Sequence, residues 1–173
     1  MRSLIIVFVS SLLLLSCKST TIYLVRHAEK NAQPTDNPHL TDEGKTRAII
    51  LRDLLKDKDV RHIYSTNYHR TMETATPLSS STGVNIEIYK NDTLGKFLNK
   101  IKALSGNVLI VGHSNTAITM LDSLRLTHTI KSIPDNDYDN LFIILVKNGR
   151  VKNLTESKYG ALSPVDTAFV PIR

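Results

Sequence analysis

The sequence has no tryptophan and a single cysteine, Cys17. A lone thiol closes no internal disulfide and supplies no C-x-x-C pair for a zinc or redox site. Compact histidine pairs at zinc-ligand spacing are absent as well. Basic residues outnumber acidic ones, 22 to 16, yet no four of them stand in a row. The excess attracts anions, while its scatter excludes a nucleic-acid-binding tract. There is no internal repeat and no low-complexity segment. No apolar run reaches the roughly 20 residues of a membrane-spanning helix; the best one, Leu4 to Leu15, is broken by two serines. What remains is a chain of 173 residues of ordinary apolar and charged content, enough for one domain with a substantial core.

The amino-terminal "MRSLIIVFVSSLLLLSC" reads as a secretory signal: one arginine, then a short apolar stretch. Its end, "LLSC", resembles the lipobox of bacterial lipoproteins. That resemblance implies cleavage before Cys17 and a lipid on its sulfur. The expected organisation is a signal peptide over 1–16, a tether over 17–21 and one domain over 22–173. The expected place is the cell envelope, lipid-anchored on the extracytoplasmic side. A simple signal peptide and an uncleaved anchor are the alternatives. Because Cys17 is the only cysteine, lipidation accounts best for an exported chain that keeps one thiol.

Along the rest of the chain, strands and helices alternate. "TIYLV" is β-branched and apolar, a strand. "LTDEGKTRAIILRDLLKD" reads as a helix capped by Thr41, with Asp42 and Glu43 in its first turn and Ala48, Leu51, Leu54 and Leu55 at helical spacing. "RHIYS" is a short strand. "NYHRTMETATPLSSS" is a helix starting near Asn67, with Pro77 obscuring its end. "VNIEIY" alternates as a strand, and "TLGKFLNKIKAL" is helical. "NVLIVG" is a continuous apolar run, as expected of a central strand covered on both faces. "NTAITMLDSLRL" is a helix, and "NLFIILV" with "VKNLTES" forms a hairpin around an Asn-Gly turn. This alternation predicts an α/β sandwich with a mostly parallel sheet. In such sheets ligands bind beyond the carboxyl ends of the strands. Three polar clusters sit just past strand ends: Arg26-His27, Ser65 to Arg70, and His113-Ser114.

Four segments, "LVRHAEK", "LTDEGKTRA", "YSTNYHRTMETA" and "VLIVGHSNT", together resemble the histidine phosphatase superfamily, the phosphoglycerate-mutase-like proteins. The likeness runs from Ile22 to about Leu124. It implies a three-layer sandwich with helices on both faces of the sheet. It implies a histidine acid phosphatase-type phosphomonoesterase that needs no metal and no cofactor and acts on a small phosphorylated substrate. His27 matches the nucleophile that would carry the phosphoryl group. Arg26 and Arg70 match the two arginines that hold phosphate, and His113 matches the second histidine. The chemistry suits these residue types. A neutral imidazole is a good nucleophile for phosphorus, and nearby positive charge lowers a histidine's pKa. A planar guanidinium pairs two donors with two phosphate oxygens, which lysine cannot do.

For the proton donor to the leaving group, the resemblance implies an acid after the strand that follows the Arg70 helix. Asp92 is the preferred candidate there and Glu87 the second. Family members without a dedicated acid act on good leaving groups such as phosphohistidine. Ser65 resembles the serine that opens the family's S-x-x-x-R motif. Two departures stand out. Arg-His-Gly is Arg-His-Ala here, and the segment for mutase substrate binding is short, which argues against mutase activity. Glu29, Lys30 and Asn31 are expected to be solvated, and His39, His62, His69 and His128 structural. A metal held by His27, His113 and an aspartate is rejected, since two arginines beside the site repel a cation. Two rival readings remain: a serine hydrolase using Ser114 in "GHSNT", and an anchored pseudophosphatase that binds a phosphorylated ligand or a partner without chemistry.

Overall fold

A computed structural model describes residues 18–164. The expected signal peptide over 1–16 and the expected lipidation site, Cys17, lie outside the described residues. The chain runs β1 (Ser19–Arg26), α1 (Asp42–Leu55), β2 (Val60–Ser65), α2 (His69–Thr82), β3 (Ile86–Ile88), α3 (Leu94–Lys102), β4 (Asn107–Gly112), α4 (Ser114–Ser123), β5 (Asn140–Lys147) and β6 (Arg150–Lys158). A 3₁₀ turn, Asn91–Thr93, leads into α3. β1 already pairs at Ser19, with Lys147, so the tether expected over 17–21 is shorter: its last three residues belong to the sheet.

One six-stranded sheet has the order β3-β2-β4-β1-β5-β6. β3, β2, β4 and β1 are parallel, and the β5–β6 hairpin adds antiparallel to β1. The hairpin turns at Asn148 and Gly149, both at positive φ (51° and 72°), the pairing that matches strand twist. β4 is central, and Val108 to Val111 are buried on both faces, as a continuous apolar run requires.

Alternation divides the core in two. Tyr23, Val25, Leu109 and Val111 pack with Leu51 and Leu55 of α1 and Ala75 and Leu78 of α2. Ile22, Leu24, Val108 and Ile110 pack on the opposite face with Phe97 and Ile101 of α3 and Ala117 and Met120 of α4. The result is the three-layer sandwich. Truncating a residue such as Leu109 to alanine costs about 2–5 kcal/mol in such a setting.

Two local expectations change. Leu54 is exposed and Arg47 is buried, because α1 turns its Gly44-Arg47-Ala48-Leu51-Leu55 face inward. The gap at Gly44 is structural: a Cβ there would stand 2.2 Å from the carbonyl oxygen of Glu29. α2 starts at His69, later than Asn67, continues through Pro77 and stops at Gly83 in the left-handed conformation. The Thr41 cap forms as expected, its Oγ1 accepting from the Gly44 N–H at 3.1 Å.

Candidate active site

β2, β4 and β1 are neighbours and end together: Ser65 pairs with Val111, and Arg26 with Gly112. The ladder continues one step beyond β1, where the His27 N–H donates to the Gly112 carbonyl at 2.9 Å. This places His27 beside His113, with ring centroids 5.6 Å apart. The loop after β2 feeds the first turn of α2 and brings Arg70 to the same edge. Arg26, His27, Arg70 and His113 thus line one cavity of about 550 Å³, joined by Lys30, Tyr68, Asn91, Ser114, Asn115 and Asp135. The four residues that the sequence singles out for phosphate chemistry meet here.

His27 is 3% exposed. Its Nδ1–H donates to the Ala28 carbonyl at 2.8 Å, which fixes the tautomer and leaves a lone pair on Nε2. Ala28 is itself held: its N–H donates to Thr74 Oγ1 at 3.0 Å, and that hydroxyl donates to the Arg70 carbonyl at 2.7 Å. The loop that follows His27 is thereby tied to the helix that carries Arg70. Burial, and then the charges of Arg26 and Arg70 and the neighbouring His113, push the His27 pKa down to about 3. Burial and the same two arginines push His113 down to about 4. Both rings are neutral at neutral pH, with burial outweighing the arginines.

Arg26 is buried and clamped. Its Nη1 donates to the Pro134 carbonyl and, at 3.1 Å, to that of Asp137; its Nη2 reaches Asp135 Oδ1 at 3.4 Å. The Tyr138 ring covers the guanidinium at 4.5 Å. Arg70 is held more lightly, with Tyr68 stacked at 4.5 Å and an Nη2 approach of 3.5 Å to His113 Nδ1. Burial lowers its pKa. The Nε atoms of both arginines are buried and have no hydrogen-bond partner among the described residues. Leaving a buried donor unpaired costs about 1–3 kcal/mol. Two such donors stand on guanidinium groups that line one cavity.

Behind His113 stands a hydroxyl chain. His113 Nε2 is 2.9 Å from Thr66 Oγ1, which is 3.0 Å from Thr71 Oγ1. The Thr71 hydroxyl donates to the carbonyls of Thr66 (2.9 Å) and Tyr68 (3.0 Å). Thr66, four residues before Arg70, therefore takes the place expected for Ser65. The Ser65 hydroxyl is fully buried and bonds only to the Thr66 carbonyl.

The expected proton donors are not brought into the cavity. Glu87 lies on the edge strand β3 and pairs with Lys100 at 3.0 Å. Asp92 is exposed on the 3₁₀ turn, and its neighbour Asn91 is the residue that lines the cavity. The lining carboxylate is Asp135, which lies in the segment before β5 and which the sequence does not advertise. Of the loop after His27, Lys30 does line the cavity, while Asn31 Nδ2 donates to the Leu40 carbonyl at 3.2 Å. Glu29 bonds to the buried Arg47 at 2.7–3.0 Å, and Arg47 also donates to the Tyr159 and Ala161 carbonyls. Ser114 lines the cavity, but among the described residues no hydrogen bond joins its hydroxyl to a histidine. His128 is occupied elsewhere by Asp122 and the Ile130 carbonyl. The serine-hydrolase dyad does not form.

The family model described as the histidine phosphatase superfamily (branch 1) matches residues 22–94, a span that includes Arg26, His27 and Arg70. A search of curated proteins found no significant match. Solved structures share the fold. A structure described as the protein histidine phosphatase SixA complexed with tungstate is 13% identical and covers 85% of this chain and 99% of its own, with TM-score 0.63. One described as the phosphohistidine phosphatase SixA of Agrobacterium tumefaciens is 22% identical, covering 79% and 97%, with TM-score 0.57. A mycobacterial glucosyl-3-phosphoglycerate phosphatase is 10% identical, covering 83% and 100%, also at 0.57. Over residues 22–94 the chain is similar to the histidine phosphatase superfamily, and its fold is that of the solved phosphatases above, with His113 set against the matched segment.

Proposed function

We propose that this chain is a phosphatase that carries the phosphoryl group on His27. The observation that carries the reading is the pair of buried, unpartnered Nε donors on two arginines that line the same cavity as an imidazole whose Nδ1 is already committed. A phosphoryl group held by Arg26 and Arg70 presents phosphorus to the Nε2 lone pair. The P–N bond forms as the bond to the leaving atom breaks, and the electron pair leaves with that atom. His113 takes up a proton as the dianion binds and donates from Nδ1 to a phosphoryl oxygen, stabilising charge in the transition state. Water then attacks the phosphohistidine. Its oxygen bonds to phosphorus, the pair returns to Nε2, and the proton passes to solvent. No metal takes part.

Among the described residues no buried carboxylate lines the cavity, and the one lining carboxylate, Asp135, is exposed and paired with Arg26. A general acid is worth about 10²–10⁴-fold. Substrates that leave without that help are therefore favoured: phosphomonoesters of acidic alcohols, and phosphoramidates such as phosphohistidine, whose ring brings its own proton. The SixA-like fold agrees with the second class. A pseudophosphatase role is less well supported, since Arg26, His27, Arg70 and His113 line one cavity. Processing at Cys17 and acylation of its sulfur would hold the domain at a membrane on the extracytoplasmic side; mass spectrometry of the mature amino terminus tests that anchorage.

The central test is turnover of p-nitrophenyl phosphate and of a phosphohistidine peptide by the protein and by His27→Ala. The variant should lose essentially all turnover and the acid-labile phosphoenzyme that rapid quenching traps in the parent. Equal activity in the two would remove His27 from the chemistry.

A further inference from the structure

A second cluster lies beside this pocket, and the phosphatase reading does not use it. His39, in the segment before α1, stacks on His69, the first residue of α2, with centroids 4.2 Å apart and planes at 15°. Glu73 follows His69 by one helical turn, and its Oε1 bonds to His39 Nδ1. One ligand atom from each of His39, His69 and Glu73 falls within 4.8 Å of the other two. We propose that these three side chains form a surface site for a divalent transition ion, with Zn²⁺ the best fit to the donor set. The inference is independent of the phosphatase reading and gives the ion no part in phosphoryl transfer.

Two imidazoles and a carboxylate form a facial donor set of intermediate softness, suited to zinc and its neighbours. At zinc–ligand distances of about 2.0–2.1 Å, tetrahedral ligand atoms stand roughly 3.3 Å apart. The exposed rings of His39 and His69 can close that gap by side-chain rotation alone. The frame around them is already tied. The His69 N–H donates to Asn37 Oδ1 at 2.8 Å, and the Leu40 N–H donates to Glu73 Oε2 at 2.9 Å. Those bonds hold the His39 segment against α2 from both sides and orient the carboxylate, the part that outer partners play at metal sites. The nearby Lys45 ammonium has its own partner in Asp42 at 2.9 Å. The fourth position faces solvent, so water would complete the shell. Bound metal would pin the segment before α1 to the start of α2, next to Tyr68 and Arg70, and so stiffen one wall of the phosphate pocket.

The test is a calorimetric Zn²⁺ titration of the full-length chain after chelator treatment, with circular dichroism to confirm the fold of each variant. The parent should bind one Zn²⁺ and gain thermal stability. His39→Ala and Glu73→Gln should each lose at least tenfold in affinity; glutamine still accepts the Leu40 N–H, so the frame survives. His27→Ala should bind Zn²⁺ as the parent does. Absence of saturable binding would reduce the cluster to an ion pair and overturn the proposal. So would binding that ignores His39→Ala and Glu73→Gln, or that disappears in His27→Ala.

Discussion

Replacing Thr66 by valine tests the hydroxyl chain behind His113. Valine keeps the shape of threonine, and Thr66 is buried, so packing is nearly unchanged. The substitution removes the acceptor 2.9 Å from His113 Nε2. Thr71 keeps its two carbonyl acceptors, so the damage stops at the imidazole. Stability should fall by no more than about 2 kcal/mol. The catalytic cost is larger in proportion. When His113 is charged against a phosphoryl dianion, its Nε2–H makes a hydrogen bond from a charged group, worth about 1.5–3 kcal/mol. At about 1.4 kcal/mol per factor of ten, kcat/KM should drop roughly 10- to 100-fold. Steady-state kinetics on p-nitrophenyl phosphate across pH measure this. Without its acceptor, protonated His113 should be harder to form, so the alkaline limb of the profile, where His113 gives up that proton, should move to lower pH. Thr66→Ser should restore most of the rate. A valine variant within twofold of the parent, with an unmoved pH profile, would show that Thr66 only fills space.

Arg70→Lys keeps the charge but loses the planar pair of donors, so phosphate and vanadate should bind at least tenfold more weakly; equal inhibition constants would mean that charge alone suffices. Stability should fall as pH drops below about 6.5. The unfolded histidines take up protons there, whereas His27 and His113 in the fold resist until about 3 and 4. The stability present above pH 6.5 is thus lost progressively toward those values, by on the order of 5 kcal/mol at most for His27, and His27→Asn should flatten the loss in urea melts between pH 7 and 5. Saturating phosphate should flatten it as well, because a bound dianion raises both pKa values and brings protons with it. Calorimetry in buffers of different ionisation heat should register that uptake; zero uptake would contradict neutral rings in the free protein.

The parts of this molecule legible in its sequence are those governed by local pattern. β4 could be placed at the centre because Val108 to Val111 tolerate no water on either side. The Thr41 cap and the Asn148-Gly149 turn could be placed because each needs a particular residue type at one position. Arg26, His27, Arg70 and His113 were legible through their motifs and the ends of strands they follow. What stayed hidden depends on backbone atoms or distant partners. Arg47 reads as a surface residue on an amphipathic helix, yet it is buried because Glu29 and two late carbonyls satisfy it. Ser65 and Thr66 are adjacent hydroxyls, and only the exit of β2 decides which one meets His113. The search for an acid after β3 failed because β3 shortens to Ile86–Ile88 and the turn that follows presents Asn91 to the cavity. The His39, His69 and Glu73 group has no compact sequence motif, since His39 reaches α2 from a separate segment.

In the proposed reaction the two arginines divide the work of holding a phosphoryl group unequally, and the division has a structural cause. Arg26 spends Nη1 on carbonyls of Pro134 and Asp137, in the connection between α4 and β5. Its orientation is therefore set by a segment that carries no motif, and its Nε has no partner among the described residues. Arg70 has no carbonyl clamp; it leans on Tyr68 and approaches His113. A fixed guanidinium sets where phosphorus stops relative to His27 Nε2, and a lightly held one closes on the oxygens as they arrive. Because positioning error at the reacting atoms is penalised steeply, the 134–138 segment is where this pocket can be tuned for a different leaving group without touching a catalytic side chain. Asp135 and Tyr138 stand in that segment, one at the mouth of the cavity and one with its ring 6.0 Å from that of His27. Selectivity among phosphorylated substrates should therefore follow changes there more closely than changes in α1, whose face is spent on the core.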